Sequence, residues 1–284
     1  GQLLSDMARA SVSISRIYEV LDLPEEDYDY GIRDVSFSKK IEFKNVSLKI
    51  NDNTVLDNIS FVLNSGESLG IIGSTGSGKS MVVYLLLGFF EATSGEILID
   101  GINIKEINKK YIREKISAIM QDSELFNMSI LDNVKIVNND IEEKSVYDAT
   151  KISSIHNEIL NFSSKYDTVV VDNGINLSGG QKQRISIARS LLKPFEVLIL
   201  DDSLSAVDMN TDLKINNALK SMDRKFTSIL ISHRISTIIN CDNIIVMDGG
   251  RIVESGKHSE LIKKNGMYSK INEIQSKEYD VNNE

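Results

Sequence analysis

Residues Gly73-Ser74-Thr75-Gly76-Ser77-Gly78-Lys79-Ser80 satisfy the pattern G-x-x-x-x-G-K-[ST] at every fixed position. The stretch follows a short apolar run, Ser68 to Ile72, and precedes Met81 to Phe90, which is apolar nearly all round. A strand, a glycine-rich loop and a helix without a polar face, hence buried, are predicted in that order. Glycines let successive backbone N–H groups turn inward as an anion nest, with the positive end of the following helix behind them. Lys79 suits the β- and γ-phosphates of a nucleoside triphosphate, and the Ser80 hydroxyl suits a magnesium ion. A coincidental glycine-rich turn would lack this strand and helix on either side.

Outward from the loop, Ile41 to Leu63 alternates around Asn51-Asp52-Asn53 and predicts antiparallel β-structure. Ile116 to Met120 reads as a strand ending at Gln121, Val197 to Leu200 as one ending in Asp201-Asp202, and Ser228 to Ile231 as one ending in Ser232-His233. Residues 122 to 176 are polar and helical, and a helix after Leu177-Ser178-Gly179-Gly180-Gln181 runs to Leu192 before Pro194. A further helix is expected over Asn210 to Ser221, and a hairpin over Asn243 to Glu254 turned at Gly249-Gly250. The expected fold class is α/β, with a mostly parallel sheet core around the phosphate loop. An antiparallel β subdomain and an inserted α-helical subdomain, about residues 122–195, complete a domain over 36–284.

In open α/β sheets ligands sit beyond the carboxyl ends of the strands. Four predicted strands end there in the Gly73–Ser80 loop, in Gln121, in Asp201-Asp202 and in His233. A lone strand-ending acid is ordinary, but in a chain with a phosphate loop Asp201 fits a magnesium-positioning carboxylate. Ser178 and Gln181 form a capping box. The Gly179-Gly180 pair also exposes bare backbone N–H groups at a positive helix end, as contact with phosphate requires.

At the start of the chain, Leu3, Met7, Ala10, Ile14, Ile17 and Leu21 form an a/d helical stripe, ended by Pro24 and an acidic linker to about Val35. That stripe is either an ordinary packing helix or the end of a longer protein's helix. Residues 279–284 are expected to be disordered. With 41% hydrophobic and 26% charged residues over 284, the composition is that of a globular domain. The net charge of −9, without a basic stripe, argues against a nucleic-acid partner. The single cysteine, Cys241, excludes an internal disulfide and suits a reducing compartment. No run reaches the roughly 18 apolar residues of a membrane span, so the chain by itself is expected to be soluble. His156 and His258 stand alone on polar segments, and no chemistry is expected of them.

Leu177–Gln181 matches the signature of the ABC-family ATPases. The order of phosphate loop, Gln121, signature, Val197–Asp202, Ser205-Ala206-Val207-Asp208 and His233 resembles that family over about residues 36 to 265. The resemblance implies ATP and Mg²⁺ as ligands, bound in a head-to-tail dimer with a second ABC ATPase domain. ATP would lie between one subunit's phosphate loop and the other's Ser178, Gly179, Gly180 and Gln181. It implies that Ser80, Gln121 and Asp201 attend the magnesium, Gln121 also the attacking water. His233 would hold the γ-phosphate, and Asp208 would make contact across the dimer. Thr168–Gly174 and Asp122–Phe126 look like the exporter branch. Residues 1–35 then resemble the end of a preceding membrane-domain helix with its linker, which implies the cytoplasmic face of a membrane.

Two departures from the family pattern bear on function. Asp202 stands where active members carry the catalytic glutamate. One methylene less displaces a general base worth about 10²–10⁴-fold, and about 1 Å of misplacement can cost 10²-fold. Ile50 aligns with the aromatic residue that stacks on adenine, an interaction of about 1–3 kcal/mol that an aliphatic contact recovers only in part. Tyr28, Tyr30 or Phe37 are alternative partners for the base. An intact signature beside a weakened base resembles one half of a heterodimeric ABC exporter, whose own site is degenerate. A nucleotide-binding regulatory module without turnover, and a homodimeric ATPase using Asp202, are the alternatives.

Overall fold

The computed structural model describes residues 1–22, 30–121, 124–138, 140–172, 174–222 and 225–281, side chains excepted over 278–281. The chain divides into two compact units, Gly1–Tyr30 and Gly31–Glu284. In the first, helix α1 (Gln2–Leu21) forms over the predicted stripe, and none of its residues is buried. The expected stop at Pro24 lies outside the described residues. The division falls after Tyr30 instead of Val35, because Ile32 bridges to Ile107 and Val35 is buried in the second unit's core.

The second unit begins with β1 (Lys40–Ile50) and β2 (Asn53–Asn64), an antiparallel pair turned at Asn51-Asp52, both at positive φ. Next come β3 (Ser68–Gly73), α2 (Lys79–Leu86), β4 (Ser94–Ile99), β5 (Ile102–Asn103), α3 (Lys109–Lys115) and β6 (Ile116–Ile119). The helical segment holds α4 (Ile130–Lys135), α5 (Glu143–Ile152), α6 (His156–Leu160) and α7 (Gly179–Leu192). The chain closes with β7 (Val197–Asp201), α8 (Met209–Lys220), β8 (Thr227–Ile231), α9 (Ile235–Ile238), β9 (Asn243–Asp248), β10 (Arg251–Gly256), α10 (His258–Leu261) and α11 (Met267–Val281).

Among the described residues the strands form two sheets, in the orders β2-β1-β4-β5 and β10-β9-β3-β8-β7-β6. The first is antiparallel, and the second is parallel from β9 to β6 with β10 as an antiparallel edge. Strand alternation sorts the core. Ile71, Ile199, Ile231 and Ile245 join the apolar cluster shared with α2 and the antiparallel sheet. Their neighbours Ile72, Leu200, Leu230 and Ile244 join the cluster on the other face, under α8, α9 and α11. A third cluster, including Leu125, Val134, Val146, Ile159 and Ile185, gives the helical insertion its own core. The fold is therefore the expected α/β class, with a parallel core, an antiparallel β part and an inserted helical part.

Several local expectations are corrected. Helix α2 stops at Leu86 instead of Phe90, because Gly88 at φ 70° reverses the chain. The N–H groups of Gly88 and Phe89 close on the carbonyls of Leu85 and Tyr84 as a Schellman motif, leaving Phe89 exposed. Strands β4 and β5 and helix α3 lie in residues 91–115, for which the pattern suggested no element. Helix α11 continues through Val281, where disorder from residue 279 was expected. The histidines are not alone either. His156 Nδ1 lies 2.7 Å from the Tyr166 hydroxyl, and His258 Nδ1 lies 2.8 Å from that of Tyr268.

Asp100 fastens the start of β1 to the end of β4. Its carboxylate accepts from the N–H groups of Ser38, Lys39 and Lys40 and from the Ser36 hydroxyl, at 2.7–3.0 Å. Partial burial pushes this carboxyl up, but the hydrogen bonds outweigh it and hold it below the ordinary range. Asp100→Asn is expected to lower stability by about 1–2 kcal/mol at neutral pH. Because the folded value lies below the unfolded one, the contribution is complete above the ordinary aspartate value of 3.8 and fades as the pH falls below it. Urea midpoints of both proteins at neutral and acidic pH check this, and the gap between them should close on acidification.

Candidate functional site

A cleft of about 250 Å³ opens beyond the carboxyl ends of the parallel strands. Thr75, Gly76, Gly78, Lys79 and Ser80 line one side, and Gln121, Asp201, Asp202 and His233 line the other. Every strand end singled out in the sequence thus reaches one place. Val55, Met81 and Ile231 complete the wall. They carry no polar signal, and Val55 comes from the antiparallel sheet, so sequence reasoning missed them. Ile50 does not line this cleft; it is half-buried against the apolar core.

The loop's shape rests on particular glycines. A Cβ on Gly73 would lie 2.1 Å from the Met247 carbonyl oxygen, and one on Gly78, at φ 94°, would lie 2.7 Å from Leu56. Gly78 precedes α2 without any side-chain cap, so the first N–H groups of that helix face the loop unsatisfied by side chains. The Ser77 hydroxyl, 2% exposed, has no hydrogen-bond partner. Lys79 Nζ donates to the carbonyls of Gly73 and Ser74 at 2.9 and 2.8 Å, which draws the ammonium back under the loop.

Three charged groups share this corner. Burial pushes the Lys79 ammonium down, against the pull of Asp202 and Asp201, and the net direction is downward. Asp201 is 3% exposed, and its carboxyl is raised by that burial and by Asp202. A hydrogen bond from Ser80 and the charges of Lys79 and His233 oppose the rise. Asp202 leaves the strand at φ 47°, in the left-handed region that aspartate tolerates, and its N–H donates to the Ile231 carbonyl at 2.9 Å.

Ser178, Gly179, Gly180 and Gln181 do not line the cleft. They start α7, where the capping box forms in both directions, at 3.2 and 2.9 Å. Arg184 and the Gln181 carboxamide both bind the Glu158 carboxylate, which ties this helix to α6. Gln183 receives the Ala206 N–H at 3.0 Å and donates to the Ser205 hydroxyl at 3.0 Å. Asp208 caps α8 by accepting from the Thr211 N–H at 3.0 Å, and its contacts with Thr211 hold its carboxyl low. The two glycines differ. A Cβ on Gly180 would meet the Ala206 carbonyl oxygen at 2.8 Å, whereas one on Gly179 would touch only the Ala206 methyl at 3.3 Å.

These features together define a P-loop ATPase-like fold with a separate glycine motif at a helix start, Gly179 exposed and Gly180 buried. The profile of the ABC transporter family matches residues 56–205, and the chain belongs to that family. The ATP-dependent lipid A-core flippase of Syntrophus aciditrophicus is 36% identical over 95% of this chain and 45% of its own length. ABC transporter B family member 24, mitochondrial, of Arabidopsis thaliana is 37% identical over 95% of this chain and 41% of its own. The chain spans less than half the length of these curated relatives. The solved structure of a bacterial Atm1-family ABC exporter with ATP bound superposes with a TM-score of 0.86 at 31% identity, covering 95% of this chain and 48% of that one.

The contrast between the glycines is testable by thermal unfolding. Gly180→Ala is expected to lose about 1–3 kcal/mol through overpacking against backbone. Gly179→Ala should stay within about 0.5 kcal/mol of wild type, since the gain in helix propensity offsets the tight methyl contact. Equal losses at both positions would contradict the geometry.

Proposed function

We propose that this chain is the ATP-binding motor domain of a membrane exporter, completed by a transmembrane domain and by a second ATPase domain. The observation that carries the reading is the convergence of Lys79, Ser80, Gln121, Asp201, Asp202 and His233 on one cleft, in a chain of this family. Lys79 and the uncapped start of α2 would hold the phosphates of ATP, and Ile50 is the proposed aliphatic surface for the base. His233 would hold the γ-phosphate, and Gln121 would orient the attacking water.

Magnesium fits the residues present. Ser80 and Asp201 are hydrogen-bonded neighbours and offer two oxygen ligands, with Gln121 near them in the cleft. Among the described residues no cluster of three or more His, Cys, Asp or Glu could hold a metal unaided. That suits an ion bound by one or two carboxylates plus substrate phosphates. When bound, magnesium would neutralise charge on the β- and γ-phosphates.

The proposed working unit is a head-to-tail dimer in which the Ser178–Gln181 segment meets the other domain's ATP. Gly179 supports this, because its missing side chain is not demanded by packing and leaves the helix start open to approach. We assign this chain to the degenerate half of a heterodimer, with Asp202 a short general base and the signature serving the partner's competent site. Among the described residues no helix is long and apolar enough to cross a membrane, so membrane attachment would come through the transmembrane domain. The proposed location is the cytoplasmic face of a membrane.

Two measurements test this reading. Lys79→Ala should weaken ATP binding on titration by roughly 10- to 100-fold, the loss of charge-assisted hydrogen bonds, while the far-ultraviolet circular dichroism is retained. Unchanged affinity would remove the cleft from consideration. In the assembled transporter, Ser178→Arg should abolish most steady-state hydrolysis and Asp202→Asn should cost far less. The reverse order would mean that Asp202 acts as a sufficient base and the chain hydrolyses its own ATP, a reading favoured by the sharing of one cleft by Asp202, Lys79 and His233.

A further inference from the structure

We propose that Gln275, on the C-terminal helix α11, is a positioning residue for His233 and sets how that imidazole meets the terminal phosphate. The inference rests on the reading of the cleft given above. His233 follows β8 in a short loop that enters α9 at Ile235, and its side chain is exposed at the cleft. The Gln275 Nε2 donates to the His233 carbonyl at 2.6 Å, and the Ile235 N–H donates to Gln275 Oε1 at 2.9 Å. One carboxamide therefore takes the carbonyl before Arg234 and the N–H after it. These are the groups that a neighbouring parallel strand would engage, supplied by a side chain where the sheet has ended. The peptide planes on both sides of Arg234 are held, and the Ser232 N–H is held by the Ile71 carbonyl, so the backbone is tied before and after His233 and the swing of its Cα–Cβ bond is restricted.

Helix α11 is built to deliver that carboxamide. The Glu254 carboxylate, from β10, accepts from the N–H groups of Met267 and Tyr268 at the start of the helix. Tyr268 is fully buried and its hydroxyl meets His258, while Ile271 packs on the cluster that contains Ile235 and Ile238. Tyr268, Ile271 and Gln275 are spaced i, i+3, i+7 and lie on one helix face. The first two give this face its apolar anchor, and the third replaces an aliphatic contact with two backbone hydrogen bonds. Nothing in the local sequence near His233 announces this partner, 42 residues away.

The experiment compares this chain with its Gln275→Ala, Gln275→Glu, His233→Ala and His233→Ala/Gln275→Ala variants, with Lys79→Ala as control. ATP and ADP affinities are measured by titration, and amide exchange at Ile235 by NMR. Gln275→Ala should speed exchange at Ile235 and reduce the preference for ATP over ADP by about three- to tenfold, the worth of one or two net hydrogen bonds. Gln275→Glu keeps the acceptor for Ile235 but cannot donate to the His233 carbonyl. Exchange should stay protected while the ATP preference falls. The double variant should be no worse than His233→Ala, because the clamp acts through that residue. Equal weakening of ATP and ADP, unaltered exchange at Ile235, or a His233→Ala variant with the wild-type preference would each overturn the proposal. If Lys79→Ala leaves both affinities unchanged, the reading of the cleft itself fails and the role assigned to Gln275 falls with it, whatever the exchange at Ile235 shows about the clamp.

Discussion

Parallel pairing of β3 with β8, and of β8 with β7, sets where Gly73, Ile231 and Asp201 stand before any side-chain chemistry begins. Asp201 is in register with Ile231, and one residue later the Asp202 N–H takes the Ile231 carbonyl. The Ser232 N–H takes the Ile71 carbonyl from the other side. Each bond joins main chain to main chain, so the distance from the phosphate loop to the two aspartates cannot change without opening the ladder. The apolar residues on both faces hold that ladder closed, since strands buried on both sides leave no face for water. The strand ends that open into the cleft are thus held by the core beneath them.

The same core confines charge to a dry corner. Burial alone would drive both Lys79 and Asp201 toward their neutral forms, and each opposes that tendency in the other. Removing one partner from such a set leaves the remaining charge uncompensated, which is costlier than the pair is favourable. A divalent cation beside Ser80 and Asp201 would oppose the effect of burial and favour the ionised carboxyl. In the proposed function, metal and triphosphate therefore bring opposite charges to a corner where burial disfavours charge on Lys79 and Asp201.

The parallel core and the cleft were legible because their signals are local. A glycine loop between an apolar strand and an apolar helix is one contiguous stretch, and each acid or histidine stands at the end of its strand or within two residues of it. Strands β4 and β5 were not legible, since Ser94–Ile99 holds only a short apolar run and pairs with β1, which lies far back in the chain. Helix α2 stops early because Gly88, inside the apolar run Leu87 to Phe90, turns the backbone out of the helix, which composition alone does not mark. Aromatic bulk does not guarantee burial, and Phe89 is exposed. The histidine partners were invisible for another reason, because Tyr166 and Tyr268 each approach from ten residues further along.

The loops around the cleft lie beyond the ladders, and their main-chain groups need other partners. Side chains from distant elements supply them. Gln183 of α7 holds the Ala206 N–H, the Arg234 guanidinium holds the carbonyls of Ser205 and Val207, and Gln275 of α11 holds the backbone on both sides of Arg234. Ser205–Val207 is consequently gripped at one side by the helix that begins with the signature and at the other by the residue that follows His233. Motion of either grip relative to the other must break hydrogen bonds at that segment or carry it along. The glycine motif does not line the cleft, but the helix it begins and the residue after His233 hold the same three residues of backbone. The start of α7 and the backbone that carries His233 are thus joined outside the sheet, through the side chains that grip that segment.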